Sequence, residues 1–197
     1  MKNSSTVSLA AVALFAALTA VGAFIKIPLP YVPFTLQVLF VFLAGSLLGS
    51  KRGMQSQLVY VGMGLAGVPV FTNGAGFGYV MQPTFGYLIG FIAGAFVVGF
   101  IIERIANPKI HHFIIANFAG LLVVYLFGVP YLYMALNTWM GVPSSWTHIL
   151  MIGFVYSIAG DIFISLIAGV LAKRLYKEFH KNRANNKISL QKDTSCN

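Results

Sequence analysis

Six apolar segments can be drawn along the chain, at about 7–25, 35–50, 54–69, 84–103, 110–128 and 148–173, with polar residues between them and after the last. Runs of this kind predict helices that span a bilayer. The segments at 35–50 and 54–69 are short. Fifteen residues of helix reach only about 22 Å, below the ~30 Å hydrocarbon core. They are expected in a locally thin or wet region, or extended into their loops. The pattern therefore predicts an all-α, polytopic membrane protein: a bundle of six transmembrane helices with structured outer loops over 1–175, and a basic, disordered cytoplasmic tail over 176–197. The first run starts after Lys2 and continues to Phe24 without a polar cleavage region. It reads as a retained span and not as a secretory signal.

Composition sharpens this picture. The chain is 58% hydrophobic and only 9% charged, which excludes a soluble domain. Its 20 glycines suit close helix packing in lipid. A net charge of +9 could suggest nucleic acid, but placement points to lipid instead. Lys173, Arg174, Lys177, Lys181, Arg183, Lys187 and Lys192 lie at or beyond the end of the last span, as in a cytoplasmic flank near anionic lipid. With the N-terminus inside, Lys2, Lys51, Arg52, Arg104, Lys109 and that tail all fall inside, and the outer loops keep only Lys26. The positive-inside rule then places both termini in the cytoplasm. The single cysteine, Cys196, permits no internal disulfide.

The outer loops are apolar and aromatic, which suits loops that fold over something. The first, Lys26 to Phe34, carries three prolines that stiffen it and exclude a helix. The second runs from Val70 to Pro83. The third, Gly128 to Thr147, carries Tyr131, Tyr133, Trp139 and Trp146. An interfacial aromatic belt is the reading favoured for Trp146 and Tyr131.

Within the last run stands Asp161, the only acidic residue between Arg104 and Lys173. A carboxylate at mid-span costs roughly 2.5–3.5 kcal/mol on insertion scales, so it usually faces a cavity or a partner and serves a function; the alternative is a structural hydrogen bond to a neighbouring helix. Gly153, Ser157, Asp161, Ser165 and Gly169 form one small-or-polar row at i, i+4, which lets another backbone approach and keeps Asp161 off lipid. Gly86, Gly90 and Gly94 repeat the device, and the two rows suggest that the fourth and sixth spans are neighbours. Ala10, Ala13, Ala17 and Ala20, with the pair Ala16 and Ala20, stripe the first span. Such a stripe either packs internally or leaves a smooth groove for a separate protein.

The polar groups on or near the outer half are Thr35, Gln37, Asn73, Tyr79, Gln82, Thr84, Tyr87, Asn137, Tyr156 and Asp161. Few charges among many aromatics describe a pocket for a small, largely apolar ligand with a few hydrogen-bonding atoms. Asn73 either contacts that ligand or simply forms a turn with Gly74. Pro83 opens the fourth span, whose outward N-terminus could hold an anion. Lys26 is the only outer cation. The catalytic and nucleotide-binding motifs His-Glu-x-x-His, Gly-x-Ser-x-Gly and Gly-x-x-x-x-Gly-Lys are missing, which argues against an enzyme and against ATP hydrolysis by this chain. His111 and His112 lack a nearby carboxylate or cysteine and read as interfacial, so no metal site is expected.

Pro33-Phe-Thr-Leu-Gln37, Leu43-Ala-Gly-Ser-Leu-Leu-Gly49 with Lys51-Arg-Gly53, Gly67-Val-Pro-Val-Phe71 and Gln82-Pro-Thr-Phe-Gly-Tyr-Leu-Ile-Gly90 together resemble the BioY family, the biotin-binding S components of energy-coupling factor transporters. The likeness is dense from about Pro30 to Arg104, and Gly160-Asp161 looks like part of the family's last-helix motif. It implies six helices in a bacterial cell membrane, with biotin bound near the outer face under the first loop and the loop between the third and fourth helices. It implies that Ala13 and Ala17 match a docking stripe for a transmembrane coupling subunit. Two separate ATPase subunits would use the ATP, and this chain would carry no cofactor of its own. The family pattern Pro-Gly-Asp-x-x-Lys is broken here, with Ala159 for the proline and Ile164 for the lysine. The ligand carboxylate must then be held otherwise, by the N-terminus of the fourth span or by Lys26.

The resulting expectation is high-affinity biotin capture. Asp161 accepts ureido N–H groups, Asn73 is a second polar contact, Tyr79, Tyr87 and Tyr156 flank the ring system, and the proline loop with Phe34 closes over it. Gln37, Gln82 and Thr84 complete the candidate site. The alternatives are an S component for another small vitamin, an autonomous facilitator or channel, and an intramembrane enzyme.

Overall fold

The computed structural model describes residues 2–29 and 31–195, with side chains described for 6–29 and 31–179. It is helical almost throughout. Helix α1 (Lys2–Phe24) leads into a two-stranded hairpin, β1 (Lys26–Ile27) and β2 (Phe34–Thr35). The strands pair antiparallel, Lys26 with Thr35 and Ile27 with Phe34. Then come α2 (Gln37–Leu48), α3 (Ser50–Leu65), a 3-10 turn (Phe77–Met81), α4 (Phe85–Glu103) and α5 (Ile110–Asn137). The last rod is assembled from α6 (Trp146–Leu150), a π turn (Met151–Val155) and α7 (Tyr156–Ser195). Its backbone is helical through 176–195, where disorder is the expectation from composition.

Among the described residues, four helical stretches are long and apolar enough to cross a membrane: Thr6–Phe24, Phe85–Glu103, Ile110–Asn137 and Trp146–Phe179. The two short segments are short helices here as well. They are separated by one residue, Gly49, at φ 86°, a left-handed conformation that suits glycine. Glu103 at the end of α4 locks that corner, accepting from Ser50 N at 3.0 Å and from Ser50 Oγ at 2.6 Å. The carboxylate thereby caps α3 where its first N–H groups lack helical partners.

Helix α3 extends back from 54 to Ser50, as expected of a short segment extended into its loop, because the Glu103 cap lets Lys51 and Arg52 join its first turn. Two expectations are corrected. The third outer loop is much shorter than Gly128–Thr147. Helix α5 continues through Pro130 to Asn137, and Asn137 then binds the loop, accepting from Ser144 N at 2.9 Å. Tyr131 is not a free belt residue, since its hydroxyl donates to the carbonyl of Val80 and ties α5 to the second outer loop. Trp146 stays half exposed and stacks on Tyr133, with ring centroids 4.0 Å apart.

Helix α4 and the last rod do meet, where Tyr87 of α4 donates to the carbonyl of Gly153 at 2.7 Å, but most of both rows packs on α5, which lies between them. A Cβ at Gly90 would meet the backbone of Val124 at 2.8 Å, and one at Gly94 would meet Val124 and Gly120. On the other side, Gly153 faces Leu132 and the hydroxyl of Tyr87, and Gly169 faces Ile114. Each row admits a different face of the same helix, at the close approach that small residues allow in lipid.

Candidate functional site

At the hairpin end of the bundle, α2, α4, α5 and α7 splay around a cavity of about 560 Å³, open mouth included. The hairpin supplies Val32, Pro33, Phe34 and Thr35. Helix α2 supplies Gln37 and Val38; the second outer loop supplies Thr72 and Tyr79. Thr84, Tyr87, Leu88 and Phe91 come from the start of α4, Val124 and Tyr125 from α5, and Ser157 and Asp161 from α7. Polar atoms are few and apolar walls many, the usual make-up of a small-molecule site.

Asp161 is 7% exposed and belongs to the cavity wall. The i, i+4 row does keep it off lipid. Tyr125 donates its phenolic hydrogen to Asp161 Oδ2. Among the described residues, Oδ1 accepts no hydrogen bond. The carboxylate is thus fixed by one oxygen and available by the other.

The remaining polar groups hold the walls in place. Gln37 donates from Nε2 to Tyr60 at 2.7 Å and accepts at Oε1 from Thr35 at 3.0 Å and Thr72 at 3.3 Å. Tyr60 in turn donates its hydroxyl hydrogen bond to the carbonyl of Val70 at 3.1 Å, so α2, α3 and the second outer loop are joined. Tyr79 and Thr84 hydroxyls lie 3.1 Å apart. Burial pushes the Tyr79 phenol up from its ordinary value and keeps it neutral. Tyr87 donates to the carbonyl of Gly153 at 2.7 Å, and its ring seats on Gly128, where a Cβ would collide with it. Gly160 plays the same part for Phe34, whose ring occupies the space a Cβ would need.

The predicted residues Asp161, Tyr79, Thr84, Tyr87, Gln37 and Phe34 therefore come together. Four do not. Asn73 is exposed in a turn closed by the Phe71–Gly74 bridge, so its pairing with glycine is a turn signal. Gln82 is exposed just before α4, and Tyr156 is 56% exposed because it follows the π turn on the outer side of the rod. Lys26 is outside the lining and donates to Thr72 O at 2.7 Å and Asn73 Oδ1 at 3.4 Å. The N-terminus of α4 is also partly engaged, since Phe85 N donates to Gln82 O and Tyr87 N to Thr84 O. On α1 the alanines divide: Ala13 and Ala17 are exposed, whereas Ala16 and Ala20 are buried in the bundle.

Tyr125 and Thr72 were not foreseen. A signal for Tyr125 does exist: it lies two turns beyond Asn117 on α5. Asn117 donates to the carbonyl of Ser165 at 2.9 Å, so both polar side chains of that face meet the polar row of α7. Ile164, at the place of the family lysine, is buried in the core.

Comparison with known proteins agrees with this geometry. The model of the BioY family matches residues 1–181. The chain is 56% identical over 193 residues to a probable biotin transporter BioY of Lysinibacillus sphaericus, covering 98% of each chain. It is 40% identical to the biotin transporter BioY of Thermotoga maritima, over 83% of this chain and 92% of that one. Its fold superposes on the crystal structure of the S-component for biotin from an ECF-type ABC transporter with a TM-score of 0.69 and 28% identity, covering 90% of this chain and 95% of that one.

Proposed function

The chain belongs to the BioY family, and on that footing we propose that it is the biotin-binding S component of an energy-coupling factor transporter, a membrane carrier and not an enzyme. The observation that carries the reading is the state of Asp161. One oxygen is fixed by Tyr125 and the other is unpaired on the wall of a mostly apolar cavity. A buried carboxylate in that state is complemented by N–H donors of a guest. The ureido N–H groups of biotin supply them. Phe34, Tyr79, Tyr87 and Phe91 enclose its ring system, and the hairpin Lys26–Thr35 covers it. Lys26, bonded to the lining residue Thr72, is the outer cation available to the valerate carboxylate.

In this reading six helices cross the membrane, the two short ones included, and both termini are cytoplasmic. The exposed Ala13 and Ala17 supply a smooth face for a transmembrane coupling subunit. Two ATPase subunits hydrolyse ATP, and tilting of the S component delivers biotin to the inside. Native mass spectrometry of the chain purified after incubation with biotin tests the ligand assignment. One retained biotin per chain is expected, and a bare chain at saturating biotin would contradict it.

A further inference from the structure

A serine inside a helix ordinarily bonds back to the carbonyl one turn earlier. For Ser157 that carbonyl is Gly153 O, and Tyr87 already donates to it at 2.7 Å. Ser157 Oγ has no hydrogen-bond partner among the described residues, although Ser157 is only 5% exposed; Ser46 and Ser165 Oγ are unpaired in the same way, but neither lines the cavity. Its residue lines the cavity. Leaving such a hydroxyl buried and unpaired is unfavourable unless something completes it.

One turn further along α7, Asp161 shares the same face and the same cavity. Its Oδ1 is also unpaired among the described residues. The other polar side chains of the lining are bonded to protein groups: Thr35, Gln37 and Thr72 with one another, and Tyr79 with Thr84. An unpaired acceptor and an unpaired hydroxyl donor thus stand one turn apart on a single helix.

We propose that Ser157 and Asp161 together read the edge of a cyclic urea, Asp161 Oδ1 accepting a ring N–H and Ser157 Oγ donating to the carbonyl oxygen. A carboxylate alone accepts from any N–H donor. A hydroxyl beside it selects an N–H that is adjacent to a carbonyl, and so sets specificity. Tyr87 is the positioning residue, since its bond to Gly153 withholds from Ser157 its usual internal partner. The inference rests on biotin being the ligand.

The test is titration calorimetry of the purified chain with biotin and with 2-thiobiotin, whose sulfur is a weak acceptor in place of the ureido oxygen. The unsubstituted chain is expected to prefer biotin. Ser157→Ala should weaken biotin binding by about tenfold and leave 2-thiobiotin binding unchanged, which also shows that the variant is folded. Ser157→Thr, which keeps the hydroxyl, should restore the preference. If Ser157→Ala keeps the preference of the unsubstituted chain, the role of Ser157 is overturned while the ligand assignment stands. If the unsubstituted chain binds neither compound, the ligand assignment fails and this inference falls with it.

Discussion

The phenolic hydroxyl of Tyr125 on α5 donates to Asp161 Oδ2 on α7, across the interface of two packed helices. This bond converts a mid-span carboxylate from a liability into a fixed acceptor. It satisfies one oxygen from the protein side and aims the group along the cavity wall. Tyr87 adds an edge-on ring contact to Tyr125, with centroids 6.2 Å apart, and Phe154 adds another at 4.8 Å. The tyrosine has little freedom to leave its partner.

Tyr125→Phe removes the donor and keeps the ring. Oδ2 is then buried without a bond, at a cost of about 1–3 kcal/mol. The ligand-free protein should melt at a lower temperature in detergent, and biotin affinity should fall about tenfold or more. Thermal unfolding and calorimetry on the same preparation check both effects. Unchanged values in both would show that the bond does not position Asp161.

The two kinds of alanine on α1 should separate docking from folding. Ala17 is exposed and Ala16 is fully buried at 0% exposure. Ala17→Trp should leave biotin binding by the isolated chain within about twofold but abolish ATP-driven uptake in vesicles with the coupling and ATPase subunits. Ala16→Trp overpacks a filled interface and should cost about 1–3 kcal/mol or more, seen as loss of monodisperse protein. Normal uptake by Ala17→Trp would remove α1 as the docking face.

Much of this was legible in the sequence, for identifiable reasons. Hydrophobic runs located the helices, and the row of small residues at every fourth position placed Asp161 away from lipid. The three prolines mark a non-helical loop over the site, and Val32, Pro33 and Phe34 do line the cavity, whereas the pairing of the loop's ends as β1 and β2 is not visible in the pattern. What stayed hidden depended on pairing between distant positions. Tyr125 is one aromatic in an apolar helix until Asp161 is set opposite it. Glycine rows state that something packs closely but not what, so α5 as the shared neighbour of α4 and α7 was invisible. Asn73 and Gln82 are polar and near the site in sequence, but their turn and pre-helix positions carry them to the surface.

The corner between α2 and α3 offers a control far from the ligand. Glu103 caps Ser50 with both oxygens, at 3.0 Å to N and 2.6 Å to Oγ. Glu103→Gln retains the size but weakens two charge-assisted bonds. It should lower stability by about 1–2 kcal/mol and leave biotin affinity within about twofold. Thermal unfolding together with a biotin titration checks this. A large loss of affinity would mean that the corner is coupled to the cavity after all.

The most direct test of the whole account is calorimetric titration of Asp161→Asn with biotin. The substitution keeps shape and removes the negative charge from the cavity wall. An affinity about a hundredfold below that of the unsubstituted chain is predicted, because the charge-assisted bonds to the ureido N–H groups are lost. Binding of the variant as tight as that of the unsubstituted chain would contradict the role assigned to this carboxylate.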